Sequence, residues 1–371
     1  TKANEVASKM PTASDNEKDE LKKEGSALKK QVKAQESELQ EIEDKIKSNL
    51  ESIPNILKED VPEGKDDSEN KELKTVGEKP EFSFEPKDPL DLGENLDTID
   101  MERAAKVSGS RFSYLKGDAV LLEFALAQFA LSELVKEGFV PVIPPHIIST
   151  KAMGAMGYLA HGGEEEVYHL KNDDAVLIGT SEQAIGPMHM NEILEEKDLP
   201  LRYVAFSPCY RREAGSYGKD TRGILRVHQF NKIEMFSFTT PDKSEEEHEF
   251  LLSMQEKLVQ ALELPYQVMV LCSSDTGTPS AKTYDINTWM PSQNTYRETH
   301  STSNTTDYQT RRLNIRVKQK GGNVFAHALN GTAFALSRTP IAIMENYQQE
   351  DGSIIVPKVL RQWMGKEKME K

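Results

Sequence analysis

Residues 202–236 read RYVAFSPCYRREAGSYGKDTRGILRVHQFNKIEMF, two apolar, alternating segments around a loop crowded with charge. Val204, Phe206 and Pro208 lead to Arg211, Arg212 and Glu213; Gly215, Gly218 and Gly223 follow, and Leu225, Val227, Phe230, Ile233 and Met235 resume the apolar pattern. That alternation predicts strand, long loop, strand. Fixed charges at the mouth of a hairpin, with glycines that let the backbone approach a ligand, suit a polyanion such as a nucleoside triphosphate. An ordinary solvated hairpin loop accounts for the same residues about equally well, since charged loops are common.

Around this hairpin the chain has 371 residues, enough for one large or two modest domains. Its 61 carboxylates outnumber its 46 lysines and arginines, which excludes a generic nucleic-acid-binding surface. The excess is uneven: residues 1–100 hold 27 acidic and 16 basic side chains, a net of −11, against −4 for the remainder. Any RNA contact at the acidic end therefore needs a local basic cluster. Cys209 and Cys272 are far apart and lack metal-ligand spacing, so neither a disulfide scaffold nor a zinc site is expected. No apolar run reaches the length that spans a bilayer, and the expectation is a soluble, cytoplasmic protein with no membrane partner. Thr1 stands in place of an initiator methionine, which leaves room for a leader removed upstream.

From about residue 17 to 53, Leu28, Val32, Gln35, Leu39, Ile42, Ile46, Asn49 and Ile53 alternate by fours and threes among charged residues, the pattern of a coiled-coil strand. Its seam needs a partner of similar length, yet only about sixteen residues precede it. Either the first helix of a hairpin lies outside this chain or the partner is another chain. Lys22, Lys29 and Lys33 fall within one narrow strip with Lys23 and Lys30 alongside; such a stripe meets phosphates or is simply a solvated face. Residues 54–100, broken by Pro54, Pro62, Gly64, Pro80, Pro86 and Pro89, read as a linker with a short strand near Phe82 and Phe84.

Beyond the linker, Val120, Leu121, Phe124, Ala125, Ala127, Leu131 and Leu134 recur at helical spacing up to Gly138, and FVPVIPPHII then reads as a proline-interrupted strand at a sheet edge. A short buried strand at 175–178 delivers Thr180, Ser181 and Glu182 to a turn before a helix, where Thr180 and Gln183 have capping-box spacing. An amphipathic helix is expected over 244–264, then strands in LPYQVMVLCSSD and TYDINTWMP. RETHSTSN (297–304) is by itself an ordinary hydrophilic strand edge. In LNGTAFALSRTPIAIMENY a turn at Gly331 is expected to open a helix that starts at Thr332 and carries Arg338 in its body, kinked by Pro340 at a cost of about 3 kcal/mol.

Over some thirty residues, FSPCYRREAGSYGKDTRGILRVHQFNKIEMF resembles motif 2 of the class II aminoacyl-tRNA synthetases, in this wording that of the bacterial-type seryl-tRNA synthetases. The likeness continues in chain order over roughly 18–371: residues 117–147 resemble the dimer-forming motif 1, 202–236 motif 2 and 326–347 motif 3. The resemblance implies an α+β fold, with a class II antiparallel sheet core flanked by helices over 101–371, a linker over 58–100 and a partial coiled-coil helical arm over 1–57. In the family that arm is a two-helix hairpin that grips tRNA for serine, so this chain is expected to lack most of the first helix. The implied activity is ATP-dependent activation of L-serine to seryl-adenylate and transfer of the seryl group to the 3′ end of tRNA(Ser), by a homodimer.

Carried over position by position, the resemblance makes Arg211, Glu298 and Arg338 the catalytic set, with Arg211 bridging serine carboxylate and α-phosphate and Arg338 on the γ-phosphate. Arg212, Glu213, Val227, Phe230, Thr299, His300 and Ser301 complete the ATP site, with Phe230 stacked on adenine, and Glu298 and Ser301 hold Mg2+. Thr180, Ser181, Glu182, Arg211, Glu234 and Thr332 form the serine pocket, although Gly179 replaces the proline that usually precedes the Thr-x-Glu loop. Two rival readings are a ligase that charges a carrier protein and a non-catalytic paralogue acting as a scaffold. The heptads speak against the first, because such ligases lack the arm. Intact Arg211, Glu213, Glu234, Glu298 and Arg338 speak against the second.

Overall fold

The computed structural model describes residues 2–159, 162–214 and 224–371, and the chain separates into two compact units, Thr1–Pro54 and Asn55–Lys371. Gly215, Gly218 and Gly223, the glycines expected to let the backbone approach a ligand, lie outside the described residues. In the first unit, α1 (Lys2–Lys9) packs on α2 (Asp15–Glu51) and buries Val6 against Gly25. A capping box starts α2, with the Glu17 carboxylate accepting from Ser14 N at 2.9 Å. Past the first turns the seam is open: Leu39, Ile42, Ile46, Leu50 and Ile53 are exposed, a stripe whose burial needs another helix.

The second unit is organised on a sheet. In chain order its elements are β1 (Lys71–Val76), α3 (Asp118–Lys136), β2 (Val140–Val142), β3 (Ile147–Ser149), β4 (Ala175–Leu177), α4 (Glu182–Ile185), β5 (Leu201–Tyr210) and β6 (Gln229–Thr239). They continue with α5 (Ser244–Ala261), β7 (Tyr266–Val270), β8 (Lys282–Met290), β9 (Thr295–Asn304), β10 (His327–Ala335) and α6 (Thr339–Tyr347). Eight strands form one sheet in the order β1-β7-β8-β9-β10-β6-β5-β2, antiparallel except for the β2–β5 edge, where the prolines stand.

Period-two alternation divides this sheet into a greasy face and a polar one. Ile233 and Met235 of β6, with Tyr284 and Ile286 of β8, enter a core with Leu122 and Leu126 of α3 and Leu251 and Leu258 of α5. Each leucine sealed there stabilises the fold by about 1.5–3 kcal/mol. Their alternates Lys232, Glu234, Thr283 and Asp285 open on the opposite face. Farther along β6, Phe236 and Phe238 follow Glu234 into a second apolar cluster with Ala205 and Leu313, which bounds the polar region.

Three expectations are corrected. The strand of the 58–100 stretch is β1, which pairs with β7 from Lys71↔Val270 to Val76↔Tyr266, whereas Phe82 and Phe84 lie outside any strand between Pro80 and Pro86. KELKTV suits a charged, exposed edge, and prolines withhold ladder donors. In the motif 3 region Gly331 and Thr332 belong to β10, Arg338 is the N-cap of α6, and Pro340 sits in its first turn. A proline there has no hydrogen bond to lose, so the expected kink is absent. The Thr180–Gln183 capping box does not form: Gln183 Oε1 accepts instead from Gly179 N at 2.7 Å, and Ser181 is the N-cap without a side-chain cap bond.

Candidate active site

The polar face floors a cavity of about 820 Å³, near the top of the usual range of about 300–1,000 Å³ for ligand pockets and large enough for more than one small ligand. At one end stand Thr180, on the loop between β4 and α4, and Glu182, the first residue of α4. Both are buried, and Thr180 Oγ1 and Glu182 Oε1 have no hydrogen-bond partner among the described residues. Ser181, between them, is buried but does not line the cavity. Burial, then the neighbouring Glu234, pushes the Glu182 carboxyl up to about 8. Glu234 Oε2 accepts from Lys232 Nζ at 2.7 Å and from Thr332 Oγ1 at 3.1 Å. Reading the sequence missed Lys232; its signal was the Lys-x-Glu spacing, which puts both side chains on one face of β6.

Arg211, one residue past the end of β5, stands at the middle of the cavity, with Nε donating to Gly179 O at 3.1 Å and the guanidinium 5.4 Å from the Phe230 ring centre. Glu213, Val227 and Phe230 line the wall beside it, and Arg226 pairs with Glu213 at 3.4 Å. Arg212 is turned out of the lining: its N–H donates to Glu166 O, and its guanidinium lies 5.9 Å from the Tyr168 ring.

At the far end, Arg338 Nη1 donates to Glu298 Oε1 at 2.8 Å and to Glu298 O at 3.2 Å. Desolvation raises the Glu298 carboxyl, but Arg338 and then Arg211 outweigh it, and the group stays below the ordinary carboxylate value. Strand β9 bulges here, because Asn287 pairs with Glu298 and Ile286 with His300. The extra residue, Thr299, shifts the alternation so that Glu298 and Ser301 both line the cavity. The same shift turns His300 away. Its ring packs on Phe334 in the core, 5.8 Å between centres, and burial lowers it to about 4. His300 is therefore not among the cavity residues expected of it. Thr299 reaches the lining, but its hydroxyl is bonded to Thr288 Oγ1 and His300 Nδ1.

Asp285 was also missed. It is the register partner of Ser301 across β8 and β9, its buried Oδ1 has no partner among the described residues, and burial followed by Glu298 raises its carboxyl well above the ordinary value. Asp285, Glu298 and Ser301 are hard oxygen donors on one patch, a set that fits a divalent cation completed by phosphates and water. No cluster of three or more His, Cys, Asp or Glu with metal-site geometry occurs among the described residues, and no described helix is long and apolar enough to cross a membrane.

A hairpin arginine and a second arginine at a strand-to-helix turn, set on the polar face of a mostly antiparallel sheet, define the core of a class II aminoacyl-tRNA synthetase. Residues 167–347 match the family described as tRNA synthetase class II core domain (G, H, P, S and T). A prolyl-tRNA synthetase from Giardia lamblia shares this fold, with a TM-score of 0.61 at 16% identity over 73% of this chain and 53% of that one. Likeness at the level of sequence is narrower. The serine–tRNA ligase of Dictyoglomus turgidum is 45% identical over 363 residues, covering 98% of this chain and 85% of the relative, and that of Nitrosopumilus maritimus is 46% identical over 370 residues, covering 98% and 86%. Seryl-tRNA synthetase from Pyrococcus horikoshii, solved in complex with ATP, superposes with a TM-score of 0.90 at 40% identity over the whole of this chain and 88% of that one. The chain belongs to the seryl-tRNA synthetase family.

Proposed function

We propose that the protein activates L-serine with ATP and Mg2+ and transfers the seryl group to the 3′ end of tRNA(Ser), acting as a cytoplasmic homodimer. The observation that carries this reading is that Arg211 stands between a buried carboxylate pocket and an arginine–carboxylate patch in one cavity.

The serine carboxylate attacks the α-phosphorus. An O–P bond forms, the bond to the β-phosphate breaks, and pyrophosphate leaves. The nucleophile is already ionised, so no general base is required, and the work lies in bringing two anions together in line. Arg211 offers a planar guanidinium to both reactants, and Arg338 exchanges Glu298 for the γ-phosphate. Glu298 and Ser301, with Asp285 opposite, would hold Mg2+, which supplies charge neutralisation on the phosphates. The adenine stacks on Phe230 beside Val227, with Glu213 at its edge. Glu182 receives the serine ammonium, and Thr332 with Glu234 receives the hydroxyl. A buried polar partner of that kind rejects an analogue lacking the hydroxyl by about 10⁴–10⁵. The terminal adenosine hydroxyl of tRNA then attacks the seryl carbonyl, and AMP departs.

Lys22, Lys29 and Lys33, all exposed on α2, support a tRNA-contacting role for the N-terminal arm. Exposed Leu121, Phe124, Val140, Ile143 and Ile147 support dimerisation through the region of α3, β2 and β3. Formation of seryl-adenylate and charging of tRNA(Ser) by the purified protein tests the reading. Arg211→Ala is expected to lower adenylation by about 10³-fold, and a variant as active as the unmutated protein would remove the bridging role.

A further inference from the structure

The arginine at the centre of the cavity is held by a histidine to which no role has been given. Strand β5 ends at Tyr210, so Arg211 lies one residue beyond the regular ladder. His228 faces it at the foot of β6. Arg211 N donates to His228 O at 3.0 Å, and His228 Nδ1 bonds to Arg211 O at 3.0 Å. A carbonyl only accepts, so the proton of that bond is on Nδ1. One residue thus grips the Arg211 main chain by both its N–H and its C=O.

The ring that does so is itself fixed. Phe112 lies 5.2 Å away, Tyr168 stands edge-on at 6.4 Å, and His228 N donates to Arg111 O at 3.0 Å. Arg111 also donates from Nη1 to Glu213 O at 3.1 Å, at a residue whose φ of 52° is costly for any side chain but glycine. Two loops far apart in sequence therefore brace the hairpin base through one imidazole, and Arg211 leaves that base toward Gly179 O and the cavity.

We propose that His228 is a positioning residue for adenylation: its Nδ1–H donor sets the Arg211 main chain, and with it the placement of the guanidinium between the serine and ATP subsites. The proposal rests on the bridging role of Arg211. Because that role operates at the transition state, misplacement lowers kcat more than it raises the KM for serine.

Asparagine and glutamine separate this from a packing role. The Asn amide nitrogen occupies the place of Nδ1, whereas the Gln amide reaches the place of Nε2, and Phe keeps the aromatic contacts without any donor. In serine-dependent ATP–pyrophosphate exchange, H228Q and H228F are expected to lose about 10²-fold in kcat, with H228N close to the unmutated protein and all three melting near it. Full kcat in H228F would overturn the proposal, as would an H228N as impaired as H228Q; should H228Q fail to fold, H228F against H228N decides. Run beside them, Arg211→Ala separates the two failures: if it keeps normal activity, the reading of Arg211 falls, whereas an inactive Arg211→Ala with a normal H228F sinks only the role of His228.

Discussion

The two ends of the cavity treat charge in opposite ways. At the end proposed for serine, Lys232 and Glu234 are 5% and 2% exposed, locked at 2.7 Å and held further by Thr332. At the end proposed for phosphates, the Glu298 and Arg338 side chains, paired at 2.8 Å, are 46% and 18% exposed, so the carboxylate side of that pair is the one open to water. A buried pair cannot relax or exchange partners cheaply, because each ion would be left desolvated. A water-accessible pair can be traded for phosphate and metal at little cost. The dry end therefore suits selection among small amino acids, and the wet end suits a ligand that arrives with its own charge.

Breaking the dry pair has the largest expected effect on stability. Lys232→Met leaves Glu234 buried without its cation and should destabilise the fold by about 3–5 kcal/mol, read by denaturant unfolding; an unchanged midpoint would mean that the pocket is wetter than described. Next comes pH. The Glu182 carboxyl, ordinarily near 4.5, is raised to about 8 in the folded protein. The folded state therefore holds a proton that the unfolded state releases, so this contribution to stability is full below about 4.5, declines as pH rises, and is gone above about 8. Glu182→Gln should flatten the fall in melting temperature across that window. In the intact protein, an incoming ammonium must ionise Glu182, so the KM for serine should drop as pH approaches 8; a pH-independent KM would remove the ammonium contact. The smallest effect on folding belongs to the wet end. Glu298→Gln should cost under about 1 kcal/mol in stability while weakening the response of adenylation to Mg2+, and a large loss of stability would erase the contrast between the ends.

Much of this arrangement was legible in the sequence, because strands announce themselves by local alternation. The β5–β6 hairpin, β7 and β8 followed from it, α3 and α5 followed from apolar residues at helical spacing, and β9 was read only as a hydrophilic strand edge. The polar face did not, since Lys232 and Asp285 look like any alternating residue until α3 and α5 cover the other side. His300 was expected in the cavity only through the resemblance, which took Glu298 to Ser301 together, and the bulge at Thr299 turns its ring to the core. Strand β1 escaped because its partner β7 lies far along the chain, and pairing partners leave no local mark. Thr180 and Gln183 carried the spacing of a cap, but the Gly179 amide took the glutamine first.

The central claim is that a buried carboxylate pocket and a charge-neutralising patch act together to adenylate serine. ATP–pyrophosphate exchange with serine, alanine, threonine and glycine supplied separately tests it most directly, since it reports the catalytic unit without tRNA. Exchange with serine alone is the predicted result. Folded protein that exchanges with none of the four, or equally well with alanine, would contradict it.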